Sequence, residues 1–547
     1  MQKSILLTLL FVFFFLPSFS QKKQKKISGG FSATSILYNA KGIDNRKDPF
    51  SYILSGNVNV PFFGSSLPFS FLINNHSNQF GQPFNRFGFS PKYKWATLHL
   101  GYRNIKFDPL VFNGHQVLGA GLELNPGKFR FGAVVGKFRG DLNLAKKVDE
   151  ISIDSLGQYS RKGFAVKIGV GSNKSFFDLI FLKVSDELPT IPQNISDIIK
   201  PPSANTALGF NTKIPFSPQL AFTMNAAYSI YTTNLYSTSI DLGESFIFDV
   251  LPPLNLSTEH YYAIKSALNY KPNNNLLFAV KYRRIEPGFK SMGLYFLQSD
   301  AENITLNTSV SLWKNKIKMT GAIGGERNNL KGIRGTTSQR TIGSASLNFN
   351  PNRNFGLAAN YSNFSINQHG DVVQIADSIK LYQTNSQFSV VPRYIIYGEK
   401  VNHVIMFMYN SSNLNDKNPN TNKFTEFHLT NYMLTYNANI IPLGLSFSTS
   451  FTHALVQMAI SDNKNNSVSV GLSKNFLDRK LRVRFNQLIT SSTNNDKVTI
   501  LTRPALSLSY DINKHHHFKF HFIFKNNKSD TKLFSETIAD LSYHFTF

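Results

Sequence analysis

Apolar and polar side chains alternate with period two along most of this chain, and few folds tolerate that pattern so often. Tyr52, Leu54, Gly56, Val58 and Val60 alternate with Ser51, Ile53, Ser55, Asn57 and Asn59. Phe129 and Phe131 alternate with Lys128, Arg130 and Gly132. Leu276, Phe278, Val280 and Tyr282 interleave with Leu277, Ala279, Lys281 and Arg283. The pattern returns at Phe355–Ser362, Gly444–Phe451, Lys480–Asn486 and Phe518–Lys525. It ends with Leu541, Tyr543, Phe545 and Phe547 against Asp540, Ser542, His544 and Thr546. Successive side chains of a strand point to opposite faces, so each stretch is a strand with one greasy and one wet side.

Composition decides what the greasy side meets. The 547 residues include 50 Phe and 22 Tyr but only 8 Met, a palette that favours strands. Mean hydropathy is −0.18, and past the first residues no segment has the apolar length of a membrane helix. A chain of modest hydropathy spans a bilayer only as a barrel, in which half of each strand faces lipid. The expected fold is therefore all-β: a single large antiparallel transmembrane β-barrel of about 26 strands (roughly 24 to 28), at ten or so residues per strand. Short turns are expected at 125–127, 271–273, 350–352, 476–478 and 511–513, where Pro, Asn, Asp and Gly supply turn chemistry. Long outer loops are expected at 139–161, 186–203, 234–259, 285–303 and 326–341. A soluble solenoid would need a repeat of fixed period, and none is present.

The start sets an address. Lys3, the apolar run Ile5–Leu16, Pro17 and the small residues Ser18 and Ser20 make a signal peptide over residues 1–20, cleaved near Ser20. Residues 21–27 form a short basic periplasmic tail, and 28–547 the barrel. The absence of cysteine excludes disulfides, thiol nucleophiles, thiolate metal sites and a lipid-modified N-terminal cysteine. Net charge is +26, from 58 Lys+Arg and 32 Asp+Glu. With a signal peptide ahead of a barrel, the counter-charge is anionic lipopolysaccharide or solute rather than nucleic acid.

A strand that stops on a terminal phenylalanine resembles the closing strand of bacterial outer-membrane barrels. That resemblance implies that Tyr543, Phe545 and Phe547 are a closing signal read by the barrel-assembly machinery. The stretches Trp95–Arg139 and Ile285–Asn303, with the signal peptide and the Phe547 ending, resemble a family of large outer-membrane barrels of Bacteroidota. The resemblance implies an envelope role beside a secretion or surface-assembly partner. A TonB-dependent transporter is disfavoured, because no folded plug precedes the first strand.

Two sets of residues are candidates for function. Arg130, Lys281, Arg283, Arg482, Arg484 and Lys519 share the lumen parity and would give a wide bore a mild preference for anions. The segment Ile285–Asn303 is too apolar for open water. It is expected to fold inward as a constriction, with Glu286, Lys290, Tyr295, Asp300 and Glu302 setting its polarity. A cap over the barrel mouth, or extension of the flanking strands, is the other option for it. Glycines in Trp95–Arg139 match no nucleotide motif and mark bulges or close backbone approach. His515, His516, His517 and His521 sit at a turn with little carboxylate nearby, so a solvated turn is preferred to a metal site. No zinc-protease pair, nucleophile elbow or phosphate loop is present, so neither catalytic residues nor cofactors are expected. The function expected is a conduit, or the membrane part of an envelope transport or secretion assembly, gated by inward loops or a partner. The alternative is a structural surface protein with a blocked lumen that binds an adhesin or polysaccharide.

Overall fold

Each wall strand of the computed structural model hydrogen-bonds to the next wall strand along the chain, and the last, Leu533–Thr546, returns to the first, Ser28–Lys41. Across that seam Phe31 lies opposite Phe545 and Thr34 opposite Ser542. The Gly29 N–H donates to the Phe547 carbonyl at 2.9 Å, and the Phe547 N–H donates to that of Gly29 at 3.0 Å. The result is a closed antiparallel barrel of 26 strands, all-β as expected. One wall strand is broken into Arg86–Phe89 and Lys92–Tyr93 between Ser65–Asn74 and Ala96–Asn104. The structure describes residues 27–62, 65–75, 86–139, 159–187, 201–240, 251–333, 336–370, 382–416, 422–458, 461–529 and 532–547. The expected signal peptide and most of the basic tail lie outside the described residues, as do large parts of the loops 139–161 and 186–203.

Cross-strand register shows which parity faces the bore. Ala165 pairs with Leu182, Leu182 with Ala207, Ala207 with Ser229 and Ala227 with Ala263, and these side chains are buried inside the cylinder. Their neighbours Ile168, Val170 and Leu179 are more than half exposed on the outer wall. An antiparallel sheet closed on itself has no free edge, and its outer face is largely apolar and exposed.

Exposed aromatic rings form rows around the outer wall. At the end where the chain termini meet stand Tyr93, Trp95, Phe129, Tyr270, Trp313, Tyr394 and Tyr510. Further along the strands run the exposed Tyr361, Phe388 and Tyr432 with the half-buried Tyr409 between them, ring centroids 6.2 Å apart for Phe388–Tyr409 and 5.2 Å for Tyr409–Tyr432. Tyr262 and Tyr270 both lie on the outer face of Thr258–Asn273. At ~3.3 Å per residue they are ~26 Å apart along the strand, or ~20 Å after a tilt of ~40°.

Connections at the terminal end are short, including 125–128, 172–175, 313–316 and 477–480. The expected turn at 271–273 belongs instead to Thr258–Asn273, which carries a register irregularity after Tyr270 and turns at 274–275. Connections at the opposite end are mostly longer, but not everywhere: Leu481–Asn494 and Lys497–Asp511 meet there through Asn495 and Asp496 alone, both at positive φ. Wall strands from Ala96 to Asp186 have 9 to 11 residues, and those from Thr336 onward have 14 to 16.

Candidate constriction in the lumen

Two connections from the long-loop end fold into the bore, and only one of them was expected. The first, 105–115, follows Ala96–Asn104; the second, 286–300, follows Leu276–Ile285. They meet in a two-residue parallel ladder, Gly293 opposite Phe112 and Leu294 opposite Asn113. The Ser291 hydroxyl donates to the Val111 carbonyl at 2.6 Å. The His115 ring stacks on Tyr295 with centroids 4.3 Å apart and planes 8° apart.

The pair shares one apolar core with the inner wall. Leu110, Val111 and Phe112 from the first insert are fully buried, with Phe289 and Met292 of the second, against Phe138, Ile180, Leu182, Tyr231 and Ile285 of the wall. Burial of side chains of this size contributes roughly 1.5–3 kcal/mol each. Glycines in the wall make the seats. A Cβ at Gly132 would lie 2.6 Å from the Phe107 ring, one at Gly121 2.6 Å from Ile105 Cδ1, and one at Gly209 2.7 Å from Val111 Cγ2. The close-approach reading of the Trp95–Arg139 glycines therefore has a physical cause: the backbone of the wall is left bare where the insert touches it.

Polar ties fix the inserts in position. Asp108 accepts the N–H groups of Leu110 at 2.7 Å and Val111 at 3.1 Å, and the Asn225 amide of the wall at 2.9 Å. Burial nevertheless pushes its carboxyl up to about 6. Asn205 is fully buried; its amide donates to Ser229 at 2.7 Å and to the Ile230 carbonyl at 2.9 Å, while its oxygen accepts the Met292 N–H at 3.0 Å. His115 is buried between Phe138 and Tyr295, and burial, with Arg161 and Arg139 nearby, pulls its pKa down to about 4.

The residues expected to set the polarity of the constriction mostly serve as braces. The Glu286 carboxylate accepts the Tyr262 backbone N–H at 2.9 Å and faces Lys331 at 3.5 Å. The Lys290 carbonyl accepts the Ser229 hydroxyl at 2.6 Å, and its ammonium lies 5.2 Å over the Tyr231 ring. Asp300, at φ +57°, is buried and accepts the Leu330 N–H at 3.0 Å. Glu302 is outside the insert: it belongs to Ala301–Leu312 and shares the outward parity of the exposed Ile304 and Leu306. There Tyr282 and Arg327 donate to it at 2.6 Å and Arg284 at 3.0 Å. Tyr295 and Phe296 are the exposed tip of the insert.

All six basic candidates occupy lumen-facing positions, but their electrostatic states differ. Arg130 grips the buried Asp178 through two bonds of 2.7 and 2.9 Å, and Arg283 is bound to Glu326 at 2.6 Å. Arg482 donates to the Asn475 side chain at 3.0 Å. Lys281, Arg484 and Lys519 form no ion pair among the described residues. Arg484 lines a cavity of about 960 Å³ with Arg503, His521, Asn437, Ser446 and Ser473.

The wall across from the inserts has a distinct chemistry that alternation alone did not reveal. Facing the bore from Phe427–Ile440 are Leu429, Asn431, Met433, Thr435, Asn437 and Asn439. Leu445–Met458 adds Ser446, Ser448, Ser450 and Thr452, and Ser461–Phe476 adds Asn465, Ser467, Ser469 and Ser473. No charged side chain faces inward on these three strands among the described residues. Neighbouring hydroxyls bond to one another, Ser450 to Ser469 at 3.1 Å and Ser467 to Thr490 at 2.9 Å.

The histidine run does not converge. His515 meets the Thr546 carbonyl, His516 the Tyr543 hydroxyl and His517 the Asp511 carboxylate, at 2.6, 2.8 and 2.6 Å. One lumen chain has the order of a hydrolytic relay: Ser90 to His99 at 2.9 Å and His99 to Glu123 at 3.0 Å. The Ser90 N–H donates to the Pro68 carbonyl at 3.1 Å.

No protein-family model matches the chain, and no curated protein matches it in sequence. Among solved structures it is similar to the P pilus usher (PapC) translocation pore, at 12% identity, TM-score 0.41, over 95% of this chain and 99% of that one. It is also similar to Pseudomonas aeruginosa OccK2 (OpdF), at 11% identity, TM-score 0.29, over 96% and 100%. A third, Acinetobacter baumannii OccAB3, has 9% identity and TM-score 0.32 over 63% and 93%. Identities and superpositions this weak carry no functional conclusion to this chain.

Proposed function

We propose that this protein is an outer-membrane β-barrel that serves as a conduit, its bore narrowed from one side by two inserts and left open along the opposite wall. The observation that carries the proposal is the one-sided constriction: 105–115 and 286–300 pack into a single core against the wall strands between Gln116 and Ile285. The wall of serine, threonine and asparagine faces them. A cylinder of 26 strands is too wide for wall side chains alone to fill, and on this reading water occupies the space beside the inserts.

Membrane placement is supported by an outer face of exposed aliphatic residues bordered by aromatic rows ~20 Å apart, near the ~25 Å apolar band of such barrels. The terminal end, with its short turns, is the periplasmic side.

Charge sets the expected preference. Arg130 and Arg283 are neutralised by Asp178 and Glu326, so of the six candidates Lys281, Arg484 and Lys519 leave fixed charge in the bore, joined by Arg503 beside Arg484. That leaves a mild preference for anions, diluted by the uncharged wall. The inserts are braced by buried bonds, which makes them a standing constriction, and an envelope or secretion partner would dock above it. Planar-bilayer recording tests the proposal. Steady current that depends on salt, favours anions and grows on deletion of 286–300 is expected. Silence from both proteins supports a blocked structural surface protein instead.

A further inference from the structure

The hollow of about 960 Å³ beside Arg484 is built by the register of the inner wall. Asn439 pairs with Ser446, Ser446 with Ser473, Ser473 with Arg484, Arg484 with Ser507 and Ser507 with His521. One level of the bore, near the terminal end, is thus a continuous row of hydrogen-bonding groups around a guanidinium. One inward position nearer the long-loop end, Ser448 pairs with Gly471, Gly471 with Asn486 and Asn486 with Ala505. The bare Gly471 and the small Ala505 leave the wall recessed there, and a Cβ at Gly471 would collide with the Ser448 hydroxyl.

Arg503 lies two inward positions beyond Ser507 on Lys497–Asp511, so two guanidiniums border the recess, one on the terminal side and one on the long-loop side. Neither forms an ion pair or a side-chain hydrogen bond among the described residues, and the Arg503 Nε–H is buried without an acceptor. An unmet buried donor has a cost that an acceptor in the recess removes. The side chains of Asn437, Ser473, Asn486 and Ser507 also form no hydrogen bond among the described residues. Two inward acids of Leu533–Thr546 are engaged elsewhere: Asp540 faces His521 at 3.6 Å, and Glu536 accepts the Tyr38 hydroxyl at 2.7 Å.

We propose that this recess binds an acidic sugar, its carboxylate or phosphate between Arg484 and Arg503 and its hydroxyls on Asn437, Ser473, Asn486 and Ser507. Planar guanidiniums match such anions through paired N–H bonds. Amide and hydroxyl side chains both donate and accept, as sugar hydroxyls do, whereas a bare anion would use the arginines alone. The volume falls within that of small-molecule sites, roughly 300–1,000 Å³. This inference deepens the conduit reading and rests on its claim that solute enters the bore.

Isothermal titration calorimetry on the full chain in neutral detergent reads binding without needing a current. Galacturonate or galactose 6-phosphate should bind at least tenfold more tightly than galactose, which lacks the charge, and than propionate, which lacks the hydroxyls. The tighter of the two names the acid. Arg484→Gln with Arg503→Gln should lose at least tenfold. Asn437→Ala with Ser473→Ala should lose at least threefold for the sugar acid and nothing for propionate. Lys174→Gln, on an exposed turn, should bind as the wild type does. Circular dichroism checks that each variant keeps its strands, and the ligand series needs no variant. No binding of either acid, equal binding of galactose or propionate, or wild-type binding by either double variant would overturn the proposal. Steady current through a chain that binds neither acid sinks this inference alone, while binding by a chain that carries no current sinks the conduit reading and leaves the site.

Discussion

The imidazole of His115 lies on the phenol ring of Tyr295, centroids 4.3 Å apart, and joins two inserts that are 180 residues distant in the chain. Each insert alone presents half of a core; together they enclose Val111 and Phe112. Tyr295→Ala should therefore loosen both, not only its own. Hydrogen exchange of the Leu110 and Val111 amides should quicken along with that of 286–300. Quickening confined to 286–300 would mean the inserts are independent.

Acid should act on this unit through two groups of opposite sign. The His115 pKa falls from 6.5 to about 4 on docking, so the docked form loses stability as pH drops through that window. The Asp108 pKa rises from 3.8 to about 6, so the docked form gains stability as pH drops from 6 toward 3.8. His115→Gln should leave an insert that tightens between pH 7 and 4.5, and Asp108→Asn one that loosens. Exchange protection of 105–115 at the two pH values reads the difference, and the same response in both variants would refute the assignment.

Asn205 is the buried tie between wall and second insert. Asn205→Leu leaves the Met292 N–H and the Ser229 hydroxyl each without this partner, at a cost of about 1–3 kcal/mol per group. The expected result is protease sensitivity within 286–300 and a larger single-channel conductance. Unchanged conductance with a protease-resistant insert would contradict it.

Face assignment can be tested with one pair of changes on one strand. Phe522 faces outward and Lys519 inward on His516–Ser529. Phe522→Arg should cost roughly 2–4 kcal/mol near the bilayer midplane. Lys519→Glu should fold normally and shift the reversal potential toward cations. Deleting Phe547, which the Gly29 bonds hold at the seam, should lower the amount of assembled barrel without altering the current of the remainder.

Much of this was legible in the sequence, for a simple reason. Period two fixes parity, so Arg130, Lys281, Arg482 and Lys519 were placed on the bore from neighbours alone. Their partners were not legible: that Arg130 meets Asp178 depends on the register between strands 48 residues apart. The greasy run after Ile285 revealed one insert, because open loops are not that apolar. The other, 105–115, is short and set among alternating strands, and its trace was the bare wall at Gly121 and Gly132. Glu302 was assigned to the loop because nothing local marks where a loop ends and a strand begins. The uncharged wall was visible as residues but not as a surface, since its three strands come together only in the folded barrel.

The absence of native cysteine makes the water path directly testable. Ser469 and Val468 are adjacent, the first on the uncharged wall of the bore and the second nearly half exposed on the outer face. Current should be recorded in planar bilayers while a charged methanethiosulfonate reagent is added to Ser469→Cys or Val468→Cys. Reaction at position 469 should cut a steady current, while the same treatment at 468 should leave it unchanged. Block at 468 but not at 469, or no current from any form, would contradict a conduit that runs along that wall.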